Sequence, residues 1–240
     1  MRGIIHFTGP ENSGKSTNAK LLINYCRRKR LCISFIRFSS TAEVRSIYAY
    51  PTYIASFLMK MGRIECRKDG AFRCTVDTLF IKRNYLLWML LEVFHFFYSY
   101  IINFVPLLIV NCYVITTRFL VDFLTDLVLL TWKIKHNLHF VSIIIYFLLV
   151  AAKLIPLKYV IYLDVSNEEL FERYKYKRRT YNRPFWEPNL ARSISLIIYD
   201  YISKVNSDSK TIYIDTTGRS LSNVFIELMR SISICRPWQE

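Results

Sequence analysis

The stretch GPENSGKST, at residues 9–17, combines residue types that could bind phosphate. It lies between the apolar run IIHF and an amphipathic segment, so it is predicted to link a buried strand to a helix. The glycines permit a sharp turn, after which successive amides and the positive end of the helix face inward. The lysine can reach the terminal phosphates of a nucleotide, and the hydroxyl of the next residue can ligate Mg²⁺. We therefore expect an ATP and Mg²⁺ site built from Gly9, Asn12, Ser13, Gly14, Lys15, Ser16 and Thr17.

Short apolar runs that alternate with helical patterns indicate the architecture that must position this loop. The predicted strands are residues 4–7, 32–38, 107–115, 159–164 and 211–214. The predicted helices cover residues 15–30 and 75–104, a segment from 166 that opens with a Ser166–Glu169 capping box, and residues 221 to about 232. Alternation of this kind predicts a five-stranded parallel sheet with helices on both faces. Together with the phosphate-binding motif, it predicts an α/β chain with the P-loop NTPase fold. We expect one domain over residues 1–240.

Composition narrows the class of protein. Hydrophobic residues make up 52% of the 240, which excludes a disordered chain. The formal net charge of +15 indicates an anionic partner, such as a nucleotide, a nucleic acid or an acidic membrane face. The alternative is a basic surface with no specific partner. The six cysteines form no CxxC pair, so neither a zinc site nor a redox motif is predicted. With no apolar signal region at the start, a reduced cytoplasmic chain is expected.

One long uncharged stretch raises the question of a membrane span. Residues 93–117 contain no acidic or basic side chain other than His95. Asn103, Pro106 and Asn111 interrupt the stretch, and the part after Pro106 is rich in β-branched residues. We therefore expect a buried helix followed by a buried strand, and no transmembrane segment. Residues 142–152 are too short to span a bilayer and are predicted to form a core helix.

Beyond the loop, the sequence resembles the thymidylate kinase branch of the P-loop nucleoside monophosphate kinases. The likeness is carried by GPENSGKST, VITTRFLVDFLTD, VIYLDVSNEELFERYKYKRRTYNR and TIYIDTTGRSLSNVFIEL. It implies transfer of the γ-phosphoryl group of MgATP to a nucleoside monophosphate, with dTMP as the expected acceptor. It also implies small nucleotide substrates as partners and a homodimer formed through aromatic-rich helices, whereas a nucleic-acid partner is not expected.

The resemblance assigns residues to the acceptor side. Glu11 would contact the sugar hydroxyl, and Arg118 would hold the acceptor phosphate with its planar fork of donors. Phe119 would pack near the acceptor base. Arg37 and Arg83 would face the acceptor from other parts of the chain.

This chain departs from the family at the end of the third predicted strand. Thr117 stands where the family has an aspartate that helps to organise Mg²⁺ and the attacking phosphate. Asp122, about one helical turn beyond Arg118, could serve instead, together with Ser16 as a metal ligand. The alternative is that Asp122 is an acid in the first turn of a helix, stabilised there by the helix dipole.

The third and fourth motifs imply a lid and a base-binding loop. Residues 173–183 carry a dense basic run, which resembles the family's lid and gives it approximate bounds of 173–188. Arg178 and Arg179 are the expected catalytic arginines, since charge spreads over the γ-phosphoryl oxygens in the transition state. Thr216 and Gly218 would line the adenine. The basic run has two other interpretations: a solvated helix end, or a nucleic-acid surface with interleaved aromatic residues.

Two other functions remain open from the sequence. Thr117 favours a kinase of the same scaffold that acts on a different small acceptor. The charge and the basic aromatic run favour a slow NTP-binding regulatory or nucleic-acid-associated module.

Overall fold

The structure is a computed structural model, and it describes most of the chain. The described residues are 3–10, 12–37, 64–68, 72–76, 83–110, 112–134, 138–176, 188–206 and 209–232. The chain forms two compact units, one of Met1–Arg37 with Leu107–Glu240 and the other of Phe38–Pro106. The single kinase domain expected over residues 1–240 stays a prediction.

The described elements follow one another along the chain in a regular alternation. In chain order they are β1 (Ile4–Thr8), α1 (Lys15–Arg28), β2 (Ile33–Arg37), β3 (Ile64–Lys68), β4 (Phe72–Val76), α2 (Tyr85–Ser99), a π-helical turn (Tyr100–Phe104), α3 (Val105–Ile109), β5 (Tyr113–Thr117), α4 (Leu120–Ile134), α5 (Leu138–Ala152), β6 (Leu157–Asp164), α6 (Asn167–Tyr176), α7 (Pro188–Val205), β7 (Lys210–Asp215) and α8 (Leu221–Ser231).

The first unit is built on a five-stranded parallel sheet with the strand order β2-β5-β1-β6-β7. The predicted fold class is therefore confirmed. Since β1 is the central strand, the loop that follows it lies at the middle of the carboxyl edge of the sheet. Ligands bind at this edge in open α/β sheets.

Alternation along β1 separates the two faces of the sheet. Ile5 and Phe7 pack into a core with α1 and α8, which contributes Val224 and Leu228. The intervening His6 points to the opposite face, where its ring meets Phe119, next to the start of α4. Because side chains alternate along a strand, α1 and α4 cover opposite faces of the same sheet.

The strand predicted at residues 107–115 is displaced in the structure. The helix continues through Pro106 to Ile109, and the strand occupies Tyr113–Thr117. A proline normally disrupts a helix because it lacks an amide donor and clashes with the preceding turn. Here the π-helical turn Tyr100–Phe104 comes directly before it, and the Val105 amide donates to the carbonyl oxygen of Tyr100, five residues back. This wider turn accommodates the proline.

The second unit contains a hairpin and a long helix. Strands β3 and β4 pair in antiparallel register, with Cys66 opposite Cys74. The helix predicted from residue 75 therefore begins later, at Tyr85, because Phe72–Val76 is taken into the hairpin. Within the described residues, one helix, Tyr85–Ile109, is long and apolar enough to cross a membrane by length and composition. The expected absence of a transmembrane segment stays a prediction.

The cysteines depart from the expectation that they are all reduced. Cys32 and Cys112 form a disulfide, with their Cα atoms 4.8 Å apart. Cys32 comes just before β2 and Cys112 just before β5, and these strands are neighbours in the sheet, so the fold brings together two residues separated by 80 positions. CxxC spacing, the pattern considered in the sequence, cannot indicate a pair of cysteines so far apart. The expectation of reduced thiols was wrong for these two residues.

The segment predicted as a core helix is helical but only partly buried. Leu138–Ala152 forms α5, in which Leu148 is buried. Ile143, Tyr146 and Phe147 are each more than half exposed. The apolar character of this segment therefore predicted the helix correctly and its burial incorrectly.

Candidate active site

The loop after β1 adopts a backbone that its glycines make possible. Gly9, Asn12 and Gly14 have φ angles of 125°, 62° and 92°, which lie in the region that L side chains rarely adopt. Gly9 is required a second time by packing, since a Cβ there would lie 2.2 Å from the carbonyl oxygen of Leu163 in β6. The loop is thus held tightly against the strand beside it, and α1 begins immediately after Gly14.

Lys15 is positioned inside this loop, with 8% of its surface exposed. Its Nζ donates to the carbonyl oxygens of Gly9 at 2.5 Å and of Pro10 at 2.7 Å. The ammonium group therefore lies at the centre of the loop, where it can exchange these carbonyl oxygens for phosphate oxygens. Ser16 and Thr17 are exposed at the start of α1.

The end of β5 lies beside the end of β1. Phe7 is in register with Thr117, so Arg118 follows at the level where the phosphate loop begins. Arg118 has a φ of 61°, a value that is uncommon for a non-glycine residue and marks a sharp exit from the strand. Asp122, in the first turn of α4, lies with Oδ2 3.6 Å from Nε2 of His6 in β1.

The charges of this group influence one another. Burial raises the pKa of Asp122, against the opposing attraction of the Lys15 and Arg118 charges. Burial and the positive charge of Lys15 lower the pKa of His6 to about 3. His6 is therefore neutral at physiological pH, and the charges that meet here are those of Lys15, Arg118 and Asp122. The structure brings these three predicted residues together.

The buried oxygens of this group suit a hard cation. Oδ2 of Asp122 is buried and accepts no hydrogen bond from the residues that the structure describes. A cation, or a water molecule bound to a cation, would interact with this oxygen. Ser16, in the phosphate loop, offers a hydroxyl as a further ligand. Mg²⁺ prefers few protein oxygens together with water and phosphate oxygens, so this donor set fits it. In the described part of the chain no three His, Cys, Asp or Glu side chains cluster as a complete metal site.

Two neighbours of Arg118 are deeply buried. Thr117 is 1% exposed, and its hydroxyl has no hydrogen-bond partner among the described residues. Phe119 is fully buried, with its ring edge-on to His6 at a centroid distance of 5.8 Å. The structure therefore places Phe119 in the core, where it packs against His6 and has no exposed face for a base.

Arg173 joins three parts of the site, and the sequence did not single it out for this role. Its guanidinium donates to the carbonyl oxygen of Asn12 in the phosphate loop and to that of Thr216 after β7, each at 3.0 Å. It also pairs with Glu169, one turn earlier in α6. The sequence assigned Arg173 to the beginning of the lid; the structure places it in α6, where it fixes the phosphate loop to the loop after β7.

The capping box predicted at Ser166 is half formed. The Glu169 amide donates to the Ser166 hydroxyl, as expected. The Glu169 carboxylate does not return to the Ser166 amide, because it accepts from Arg173 and from the Gly218 amide. The hydroxyl of Thr217 accepts from the Ser166 amide instead. The helix start is therefore capped by the same loop that the resemblance assigns to the adenine.

Thr216 and Gly218 shape that loop in different ways. The Thr216 hydroxyl is buried and donates to the Asp164 carbonyl oxygen at 2.6 Å, so it stabilises the loop. Gly218 is exposed with a φ of 62°. The backbone of the loop, rather than these two side chains, is what remains available to a base.

An ion pair at the end of β6 anchors the helix that follows the predicted lid. Arg192 in α7 donates to both carboxylate oxygens of Asp164, at 2.8 and 2.7 Å, and Tyr213 donates to Oδ2 at 2.5 Å. Burial alone would raise the pKa of Asp164, but the hydrogen bonds from Arg192 and Tyr213 outweigh it and the pKa is lowered. No local pattern predicted this pair, because 28 residues separate its members.

We expect the substitution Asp164→Asn to destabilise the protein by about 2–4 kcal/mol, since it leaves a partly buried guanidinium without its carboxylate. Urea unfolding at pH 7 would measure this loss. The control is Asp200→Asn, which removes an exposed pair with Lys204 and should change the free energy of unfolding by less than about 0.5 kcal/mol.

The pH dependence of this effect has a definite sign. Because the Asp164 pKa is lower in the folded state than its ordinary 3.8, its stabilisation is present above that value and is lost as the pH falls. The difference between wild type and Asp164→Asn should therefore shrink on acidification from pH 7 to 3. A difference that stays constant over this range would show that the charge of Asp164 contributes nothing.

Several predicted site residues lie outside what the structure describes. These are Glu11, Arg178 and Arg179, most of the predicted lid over residues 173–188, and the side chain of Arg37. Arg83 is described and exposed, and it belongs to the second unit. The roles expected for these residues stay predictions.

Comparison with known proteins supports the fold assignment. No family model matches the chain, and no curated protein matches it. Among solved structures, thymidylate kinase from Candida albicans is 16% identical, with a TM-score of 0.54 over 95% of this chain and 90% of that one. Thymidylate kinase from Ehrlichia chaffeensis is 17% identical, with a TM-score of 0.49 over 95% of this chain and 97% of that one. The resemblance found in the sequence is thus confirmed at the level of fold: the chain has the P-loop NTPase fold in the form seen in thymidylate kinase from Candida albicans.

Proposed function

We propose that this chain is an ATP-dependent nucleotide kinase that transfers a phosphoryl group to a nucleoside monophosphate, with dTMP as the acceptor. One observation carries the proposal: Lys15, Arg118 and Asp122 lie close enough at the carboxyl edge of β1 and β5 to interact electrostatically. Phosphoryl transfer depends on positioning and charge neutralisation, and this group supplies two cations and one carboxylate.

Each residue has a defined task in this proposal. The amides of Asn12 to Thr17 would bind the ATP phosphates, and Lys15 would leave the Gly9 and Pro10 carbonyl oxygens for the β- and γ-phosphates. Arg118 would hold the acceptor phosphate, since a guanidinium binds two phosphate oxygens in one plane. Asp122 and Ser16 would hold Mg²⁺, which when bound neutralises charge on the transferring phosphate.

The remaining predicted roles complete the site as proposals. Arg178 and Arg179 would come from the lid to the transferring group, and the loop at Thr216 and Gly218 would lie along the adenine. Two arginines support the lid assignment, because Arg173 and Arg192 hold α6 and α7, the helices before and after it, to the site. Glu11, Arg37 and Arg83 would contact the acceptor. A cytoplasmic location and a homodimer also stay predictions.

A second candidate is a kinase of the same scaffold for a different small acceptor. The observation that favours it is Thr117, which is buried where the resemblance places an aspartate. If the acceptor phosphate is organised differently here, the acceptor itself can differ.

An acceptor screen tests the proposal. The protein is incubated with MgATP and each nucleoside monophosphate in turn, and the formation of ADP and of the nucleoside diphosphate is followed. We expect dTMP to raise the rate of ADP formation at least about tenfold over ATP alone. Stimulation by another acceptor would favour the second candidate. No stimulation, together with salt-sensitive binding to oligonucleotides, would favour a nucleic-acid-associated module instead.

A further inference from the structure

The central strand β1 carries a histidine at a position where packing alone would favour an apolar residue. His6 is fully buried, as are Ile5 and Phe7 on either side of it. Neither ring nitrogen of His6 has a hydrogen-bond partner among the residues that the structure describes. Burying a polar group without a partner costs free energy, so an aliphatic side chain would suit the sheet better. Packing therefore does not explain why this position is a histidine.

The imidazole of His6 lies beside a carboxylate. Its Nε2 is 3.6 Å from Oδ2 of Asp122, which belongs to the first turn of α4. This separation is somewhat longer than a hydrogen bond, as is common at reactive sites before their ligands bind. Oδ2 likewise accepts no hydrogen bond from the described part of the chain. Two buried polar atoms that lack partners thus lie next to each other.

Packing fixes the orientation of the ring. Phe119 meets the imidazole edge-on, with a centroid distance of 5.8 Å and an interplanar angle of 80°. Phe119 is itself fully buried, and β1 is paired with β5 on one side and with β6 on the other. The imidazole therefore has little freedom to turn, and it offers a fixed partner to the carboxylate beside it.

Asp122, in contrast, extends from the core towards the site. Its side chain is 17% exposed, whereas that of His6 is 0% exposed. Lys15 and Arg118 lie close enough to interact with it electrostatically. A carboxylate oxygen has two lone-pair sites, so Oδ2 can accept a hydrogen bond on one side and bind a cation, or the water of a cation, on the other. The carboxylate can thus connect a buried donor to the proposed Mg²⁺ site.

We propose that His6 is a positioning residue for phosphoryl transfer: its Nε2–H donates to Oδ2 of Asp122 and holds the carboxylate in the orientation that binds Mg²⁺. This inference rests on the proposed kinase function and deepens it. The role needs one proton on the ring nitrogen that faces the carboxylate, and this proton stays in place during the reaction. With Thr117 at the end of β5, the acid comes from a helix instead of a strand, and His6 fixes it there.

Binding of Mn²⁺ in place of Mg²⁺ tests the proposal without turnover. Its affinity is measured by electron paramagnetic resonance on the full chain saturated with a non-hydrolysable ATP analogue. We expect His6→Leu to weaken Mn²⁺ binding about tenfold and to lower kcat about tenfold, with little change in the KM for the acceptor. His6→Gln should recover most of both losses, because its amide can donate from nearly the position of Nε2.

Thr116→Val is the matched control. Thr116 is in register with His6 on β5, is equally buried, and has a hydroxyl that also lacks a partner among the described residues. This variant should keep the wild-type Mn²⁺ affinity and kcat. In the Asp122→Asn background, His6→Leu should cause no further loss of kcat, because His6 acts through the carboxylate.

Three results would overturn the proposal. The first is a wild-type Mn²⁺ affinity in His6→Leu. The second is an equal loss in His6→Leu and His6→Gln, which would show that the shape of the ring matters and its donor does not. The third is a loss of kcat in the Asp122→Asn background as large as in the wild-type background.

Two further arrangements keep the test decisive. If His6→Leu does not fold, His6→Gln is compared with His6→Asn, whose shorter amide reaches only to the position of Nδ1. Asparagine should then bind Mn²⁺ about tenfold more weakly than glutamine, and equal affinities would refute the role of His6. If no acceptor stimulates the wild type, the kinase function fails, whereas a loss of Mn²⁺ affinity in His6→Leu still supports the positioning of Asp122 by His6.

Discussion

Replacing Lys15 with methionine is expected to lower kcat for phosphoryl transfer by at least about 10²-fold, because the substitution removes the ammonium group that lies within the phosphate loop. The methionine keeps most of the aliphatic volume, so the loss should be mainly electrostatic. Steady-state kinetics with MgATP and the stimulating acceptor would measure it, and calorimetry with a non-hydrolysable ATP analogue would measure the accompanying loss of affinity.

The same substitution also affects the resting loop. Lys15 now satisfies the carbonyl oxygens of Gly9 and Pro10, so we expect stability to fall by about 1–3 kcal/mol. Lys20→Met is the matched control, since Lys20 is exposed on the same helix, and it should leave both quantities unchanged. If Lys15→Met unfolds at the wild-type temperature and retains full activity, the loop does not bind the transferring phosphate.

The phosphate loop could be predicted because the residues that determine its conformation lie close together in the sequence. Gly9 and Gly14 are needed for backbone angles within the loop, and Lys15 reaches carbonyl oxygens only five and six residues away. Four of the five strands of the sheet were also placed correctly, since each contains a short apolar run in the sequence. Only the strand after Pro106 was misplaced, because a π-helical turn allowed the helix to continue through the proline.

Other parts of the site depend on which strands become neighbours. Asp164 and Arg192 meet across 28 residues, and Cys32 and Cys112 meet across 80. Nothing in the sequence near any of these four residues specifies its partner. The position of His6 could have been noticed in the sequence, because it is a polar residue between apolar ones in the run IIHF. This run forms the central strand, which leads directly into the phosphate loop, so a polar side chain on it lies near the site.

The position of Asp122 also required the tertiary structure. From the sequence, a carboxylate in the first turn of α4 was explained equally well by the helix dipole. In the structure its Oδ2 is buried beside His6, within the influence of Lys15 and Arg118. A carboxylate that only stabilised a helix end would gain nothing from burial, which raises its pKa and costs free energy. This placement favours a functional role.

Replacing Asp122 with asparagine separates the two explanations. If Asp122 supplies the carboxylate that Thr117 does not, kcat should fall about 10²-fold while the KM for the acceptor changes little, because the charge acts mainly in the transition state. Stability should be unchanged or slightly higher, since the substitution removes a buried charge that accepts no hydrogen bond at Oδ2 from the described residues. A helix-capping role predicts the opposite, an active enzyme of lower stability.

A second substitution tests whether the negative charge of Asp122, and not another property of its side chain, is what the site requires. In the Asp122→Asn background, Thr117→Asp returns a carboxylate to the end of β5, where the backbone is in register with Phe7 of β1 and adjacent to Arg118. We expect it to restore part of the lost kcat, at least about tenfold, because one negative charge near Lys15 and Arg118 is what the site requires. The control Asp200→Asn should keep wild-type kinetics. Full activity of Asp122→Asn, or no gain from the added carboxylate, would mean that phosphoryl transfer in this chain proceeds without an acid at this edge of the sheet.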